Sequence, residues 1–135
     1  MAVQSVKELE VYRKGYELSM NIFEATKNFP QEERYSLTGQ IRGSSRSVCL
    51  NLHEAWAKRR YQARFVSKLT DCDGENGETE SSLDFALYCG YLSLQEHKIL
   101  THRNREIGRM LGSMINNPTP FLFTSISRRL TPKAS

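Results

Sequence analysis

Residues 29–54 read FPQEERYSLTGQIRGSSRSVCLNLHE, and two periodic seams run through them side by side. The apolar seam is Leu37, Ile41, Val48, Leu52 and Ala55, with the small Ser45 in its gap. The polar seam is Gln40, Ser44, Ser47, Asn51 and Glu54, advancing by four and three in turn. Such steps return a side chain to one face of an α-helix, so each seam occupies a fixed face. A core accounts for the first. The second calls for a buried hydrogen-bonding layer, a subunit interface or a binding site.

The same period predicts three more helices and no convincing strand. The first spans residues 5–28, with Ser5 as N-cap and Leu9, Tyr12, Tyr16 and Phe23 on one face. Phe29-Pro30 ends it, because the residue before proline disfavours the α region. The second spans residues 36–58, with a helical turn ahead of it over 31–34. The third spans residues 61–91 despite Gly74 and Gly77, each costing roughly 1 kcal/mol against alanine. Its seam continues through both: Phe65, Leu69, Cys72, Asn76, Thr79, Leu83, Ala86, Gly90. One long helix with a polar middle layer (Asn76, Thr79) is therefore expected. The fourth spans residues 95–116, with Leu100, Ile107, Leu111 and Met114 inward and Pro118 stopping it. The expected fold is all-α: residues 1–116 form an up-down-up-down antiparallel four-helix bundle. Residues 117–135 lack periodicity and read as a flexible C-terminal tail, with Phe121, Leu122 and Phe123 as a docking patch.

Composition narrows the class. A chain of 135 residues, 39% hydrophobic and 25% charged, makes one soluble domain. Its longest nearly apolar run, residues 85–94, holds Gly90 and Ser93 and is too short to span a membrane. Cys49, Cys72 and Cys89 are odd in number and lack CxxC spacing, which points to reduced, mostly packed thiols and a cytoplasmic location. The pI near 9.1 is mildly basic. Its distribution says more. Residues 34–68 carry eight lysines and arginines against Glu54 alone, and residues 71–84 carry six acids and no base. Such polarity suits a polyanion partner, or two halves folded against each other.

Several ordered motifs resemble one known family. Leu9, Val11, Leu18 and Thr26 lead into Phe29-Pro30, followed by Glu33, Tyr35, Leu37-Thr38 and Gln40, similar to the family's FPxxExYxLTxQ. Ser47, Asn51 and Glu54 fall where it has SxxxNxxEG, although Ala55 replaces the glycine. Gly74, Glu78, Glu80, Leu83, Ala86 and Gly90-Tyr91-Leu92 resemble its GSxxExExxLxxAxxxGYL stretch, with Glu75 in place of the serine. Gly43 also departs, standing where the family often has a basic or small helix former. The likeness covers residues 9–115 and is to the four helix bundle protein family, also called the S23 ribosomal or 23S rRNA intervening-sequence protein family. It implies a four-helix bundle, often a ring-like homo-pentamer, with an RNA or ribonucleoprotein role attached to the family and no established enzymology.

Candidate sites follow from charge and periodicity. At the turn between the second and third helices, Lys58, Arg59, Arg60, Arg64 and Lys68 have no acid nearby in sequence and interleave with Trp56, Tyr61 and Phe65. Cations attract phosphates and aromatic rings stack on unpaired bases, so these basic residues with Tyr61 are the nucleic-acid-binding candidates. A solvated helix end with Trp56 and Phe65 in the core is the plain alternative. Arg42, Arg46, His53 and Arg60 share another face, where Arg42 and Arg46 are expected beside the acidic run of the third helix. Gln40, Ser47, Asn51 and Glu54 are expected to set helix register or a subunit interface. Phe85, Tyr88 and Tyr91, placed on the outer face of the third helix, point to a homo-oligomer.

Catalytic and metal chemistry finds little support. Asp71, Asp73 and Glu75 begin like an EF-hand loop, but Asn76 and Ser82 stand where glycine and a bidentate glutamate are required. His53-Glu54 lacks the second histidine of a zinc-protease pattern, since Ala57 occupies that place. Cys49 and His53 are one helical turn apart, without a third group to orient them. No catalytic residue, cofactor, metal or small-molecule substrate is expected. The reading is a non-enzymatic, oligomeric helical bundle that binds RNA or a nucleoprotein partner, or alternatively a protein-only scaffold or adaptor.

Overall fold

The structure, a computed structural model, describes residues 3–123. Four helices carry this part of the chain, without a strand among the described residues. They are α1 (Glu10–Thr26), α2 (Leu37–Ala57), α3 (Gln62–Tyr88) and α4 (Leu94–Asn116). Residues 124–135, most of the expected flexible tail, lie outside the described residues.

Local chemistry sets most boundaries. Ser5 caps as expected, forming a capping box with Glu8, but the box opens a 3-10 turn at Val6–Glu8. Leu9 is then extended, at φ −72° and ψ 133°, so α1 starts only at Glu10. A second 3-10 turn, Gln31–Glu33, follows Pro30 where a helical turn was anticipated. Ser93 and Glu96 form a full capping box on α4. α3 runs unbroken through Gly74 and Gly77, burying Phe65, Leu69, Cys72, Asn76, Thr79, Leu83 and Ala86. Burial of the seam offsets the poor propensity of the two glycines. α3 stops at Tyr88, earlier than expected, because Gly90 takes φ +78°. Tyr91 N–H then donates to Ala86 O at 2.9 Å and Gly90 N–H to Leu87 O at 3.0 Å, a Schellman ending.

α1 presents a different face from the one anticipated. Leu9 is buried, but Tyr16 is 56% exposed and Tyr12 and Phe23 only half-buried; Val11, Leu18 and Ile22 make the core face instead. Small residues explain the rotation. Gly15 and Ser19 lie on the buried side, and a Cβ added at Gly15 would stand 3.3 Å from Cys49 Sγ. Counting large apolar residues overlooks a face built for close approach.

Pairings between helices run in opposite order. Tyr12 meets Cys49 while Thr26 meets Arg42. Ser44, Val48 and Glu54 face Thr79, Cys72 and Lys68. Asn76 meets Asn104 while Asp84 meets His97, and on α1 Lys14 meets Glu106 while Asn21 meets Arg103. Mid-bundle, these pairings enclose a polar layer. Ser44 Oγ and Thr79 Oγ1 stand 2.8 Å apart, and Thr79 donates to Glu75 O at 2.9 Å. Asn76 Nδ2 donates to Asn104 Oδ1 at 2.9 Å, and Asn104 Nδ2 returns a bond to Asn76 O at 2.9 Å.

Tyr91 departs from its expected role. It is half-buried in the turn after α3, its ring 5.4 Å from Phe29, and its hydroxyl donates to Glu33 Oε2 at 2.9 Å. The bond is intramolecular, so this side chain ties the α3–α4 turn to the start of α2. Glu33 also accepts from Ser36 Oγ at 2.6 Å and Leu37 N–H at 3.3 Å. The bonds from Ser36 first and Tyr91 second hold its carboxyl below the usual range, and bonding to Glu33 pushes the Tyr91 phenol up to about 12. A raised phenol stabilises the fold fully below its ordinary value of 10.0, and that contribution disappears as pH rises towards about 12. The lowered Glu33 works in the opposite sense: its contribution is lost as pH falls through its folded value. Urea midpoints measured across the alkaline range are expected to fall more steeply for the native protein than for Tyr91→Phe. Parallel curves would mean the bond does not form in solution.

Candidate nucleic-acid interface

α2 ends at Ala57 and α3 begins at Gln62, so the basic cluster lies on a tight turn. Tyr61 N–H donates to Lys58 O at 3.0 Å and closes it. The turn divides the six candidate residues. Lys58, Arg60, Arg64 and Tyr61 are exposed, Tyr61 by 57%, with the Arg64 guanidinium 5.1 Å from the Tyr61 ring centre. Among the described residues no carboxylate lies within ion-pair distance of Lys58, Arg59, Arg60 or Arg64.

Two of the six are occupied. Lys68 Nζ sits 2.8 Å from Glu54 Oε2 and 3.1 Å from Asp71 Oδ2, and the Glu54 bond foremost raises its pKa. Remote in sequence, Glu54 comes alongside Lys68 because α2 and α3 pair. Arg59 is half-buried: its Nη1 donates to Trp56 O at 3.0 Å, and its guanidinium lies 4.0 Å from the Trp56 ring centre and 4.7 Å from that of Phe123. Burial lowers its pKa.

Phe123 is there because the segment after α4 folds back onto the turn. Beyond the 3-10 turn Thr119–Phe121, Phe121 comes 6.4 Å from Phe65 and Phe123 N–H donates to Arg59 O at 3.3 Å. Arg60 also reaches the Phe123 ring, at 5.7 Å. The docking patch in the sequence reading thus has an address, on the basic turn itself.

The polar seam of α2 splits. Ser44 is buried in the mid-bundle layer, while Ser47 and Asn51 are half-buried, with Asn51 Nδ2 donating to Ser47 O at 2.9 Å. Gln40 is exposed, and so is Glu54, which pairs with Lys68 across α2 and α3. Lys68, by hydrogen bonding, holds the Glu54 carboxyl below its ordinary value.

The basic ridge is also placed differently. Arg42 Nε donates to Thr26 Oγ1 at 2.8 Å, and its guanidinium lies 4.6 Å from the Phe23 ring centre; that of Arg46 lies at 5.7 Å from the same ring. These arginines turn towards α1, not the acidic run, because an aromatic face and a hydroxyl hold a guanidinium in a half-buried groove. Three acids of the run find other partners. Glu80 accepts from Arg105 at 3.0 Å, Asp84 faces His97 at 2.8 Å and Asp71 takes Lys68. Of the three outer aromatics, Phe85 and Tyr88 are exposed by 63% and 91%, and Tyr91 is not among them.

Two of the thiols are held in their neutral form by burial. Burial pushes Cys49 up to about 11 and Cys72 up to about 12. Cys49 Sγ donates to Tyr12 O, 3.6 Å away, while His53 is exposed. Cys49 and Cys72 are buried and Cys89 is exposed, in keeping with mostly packed thiols. Among the described residues no group of three potential metal ligands converges, and no helix is long and apolar enough to cross a membrane.

The comparisons with known proteins meet this geometry from outside. The family model of the 23S rRNA-intervening sequence protein matches residues 7–113. A crystal structure of a protein of unknown function from the S23 ribosomal protein family of Bacteroides thetaiotaomicron is similar, with 26% identity and a TM-score of 0.72. That likeness covers 79% of this chain and 96% of the other. Curated proteins give no match. With four helices, the ordered motifs and a match over residues 7–113, the chain belongs to the 23S rRNA-intervening sequence protein family.

Proposed function

We propose that this protein is a non-enzymatic, homo-oligomeric, up-down-up-down antiparallel bundle that binds RNA, or RNA within a nucleoprotein, through the turn between α2 and α3. The observation that carries the reading is the exposed group of Lys58, Arg60 and Arg64 beside Tyr61, cations left without carboxylate partners among the described residues. Lys68, next along α3, is paired with Glu54 and Asp71; at the turn the charge faces solvent. Lys68 and Arg59 drop out of the contacting set and act as supports, one bracing α3 against α2 and the other seating the segment after α4. In a pentameric ring the turn would recur five times, and modest contacts would add through avidity.

Binding of single-stranded RNA is expected to weaken with salt. Each phosphate contact contributes roughly −0.7 to the log–log slope. Arg60→Ala with Arg64→Ala is expected to weaken binding and flatten that slope by about 1.4. Filter binding across a salt series measures both. Absence of retention at low salt would leave the protein-only scaffold as the better reading, and an unchanged slope would remove the turn as the site.

A further inference from the structure

A second cationic site lies at the far end of α2. An open cleft of about 450 Å³ separates the end of α1 from the start of α2, and Lys27, Arg34 and Arg42 line it without any carboxylate. Positive charge is gathered around one ring: Lys27 Nζ lies 5.0 Å from the Phe23 ring centre, with Arg42 and Arg46 over the same ring. Of these cations only Lys27 has an acid partner among the described residues, the exposed Glu24 at 3.1 Å. Arg42 is half-buried, and its bonds leave much of its guanidinium uncommitted: Nε donates to Thr26 Oγ1 and Nη2 to Phe23 O at a long 3.5 Å.

A second observation is independent of the charge. Thr38, 7% exposed, also lines the cleft, and its Oγ1 is the buried side-chain polar atom without a hydrogen-bond partner among the described residues. Buried hydroxyls are ordinarily bonded, so an orphan beside a cationic cleft marks a place for an acceptor. Thr38 stands in the first turn of α2, where the helix dipole adds to the attraction for an anion. Phe29 and Pro30 supply an apolar wall.

We propose that this cleft binds an organic phosphate monoester bearing a flat ring, the chemistry that a free nucleotide shares with the 5′-terminal nucleotide of an RNA. Arg42 and Arg34 take the phosphate oxygens as guanidinium groups do, with charge-assisted bonds, and Thr38 lies close enough to join them after a small side-chain shift. The apolar wall takes the ring. The site is separate from the turn between α2 and α3: from residue 42 to residue 58 the helix rises roughly 24 Å.

Calorimetry with adenosine monophosphate, adenosine and inorganic phosphate tests the chemistry. A 5′-phosphorylated oligoribonucleotide and its 5′-hydroxyl counterpart distinguish the sources. The monophosphate is expected to bind and adenosine not to. Arg42→Gln is expected to weaken binding about tenfold. Arg34→Gln alters an exposed residue, so it is expected to weaken binding while leaving the circular dichroism melt unchanged; it keeps the test valid if Arg42→Gln loosens the α1–α2 contact. Arg60→Ala with Arg64→Ala should leave monophosphate affinity intact, which separates failure here from failure of the RNA-binding turn. In that background, tighter binding of the phosphorylated oligonucleotide than of the monophosphate assigns an RNA end, and equal or weaker binding assigns a free nucleotide. Equal affinity for adenosine and its monophosphate, or indifference to both arginine substitutions, overturns the proposal.

Discussion

Asn104→Ala is expected to destabilise the protein by about 2–4 kcal/mol, from two lost buried hydrogen bonds and the space left where the amide stood. Asn104 is 1% exposed, and its amide exchanges bonds with Asn76 in both directions across α3 and α4. Truncation removes Oδ1, one of the two acceptors of Asn76 Nδ2, and the Asn104 Nδ2 donor to Asn76 O, leaving Asn76 Nδ2 only the backbone Asn104 O at 3.0 Å. The converse substitution makes the argument sharp. Replacing both asparagines by leucine removes donors and acceptors together, and it should recover much of the loss, since apolar groups of similar shape can substitute for a satisfied pair. Gly108 belongs to the same arrangement, because a Cβ there would stand 2.8 Å from Asn76 Oδ1. Urea unfolding of the single and double variants measures the coupling. A single-variant loss under about 1 kcal/mol would mean the layer is open to water and the amides are not buried as described.

Replacing Phe85 and Tyr88 together by glutamate is expected to convert the proposed oligomer to monomers while leaving each bundle folded. Both rings project from α3 with little cover, flanking a hollow with Ser81 and Asp84. Full burial of one such side chain in an interface is worth about 1.5–3 kcal/mol, and repetition around a ring multiplies the effect. Introduced carboxylates beside Asp84 would oppose the same contact by like-charge repulsion. Because neither ring contributes to the core, the monomer's stability should stay within about 0.5 kcal/mol. Light scattering reads the mass and a thermal melt reads the fold. A native protein that already scatters as a monomer would refute the assembly, and an oligomer that survives both glutamates would place its interface elsewhere, with exposed Leu50 or Tyr16 as the next face to test.

The segment after α4 bears on the proposed function, because it packs on the α2–α3 turn. Arg59, its side chain held between Trp56 and Phe123, leaves Arg60 and Arg64 to meet a ligand. The basic turn is therefore shaped by residues some sixty positions downstream, a relation that periodicity in α2 or α3 does not carry.

How far the residues could be read in advance follows from the range of each interaction. Helical period, Phe29-Pro30 and the capping serines act within a few residues, and they were sufficient for four helices, an unbroken α3 and the polar middle of its seam at Asn76 and Thr79. Ordered motifs were sufficient for the family. The partners of polar groups act between elements. Asn104 carries no periodic signal that separates it from other polar positions of α4, yet it completes the layer. Lys68 looked free until α2 and α3 paired and brought Glu54 within 2.8 Å. Arg42 looked bound for the acidic run until the small residues of α1 brought Phe23 and Thr26 close. Tyr91 looked like part of an outer face until Gly90 turned the chain and delivered its hydroxyl to Glu33. By itself the sequence determined which stretches are helical and which seams of α2, α3 and α4 are buried, since an apolar stripe there follows the period; on α1 the small Gly15 and Ser19 turned a different face inward. Only the tertiary structure decided which cations remain unpaired, because pairing depends on the rotation and approach of neighbouring helices, and those depend on side chains far apart in the chain.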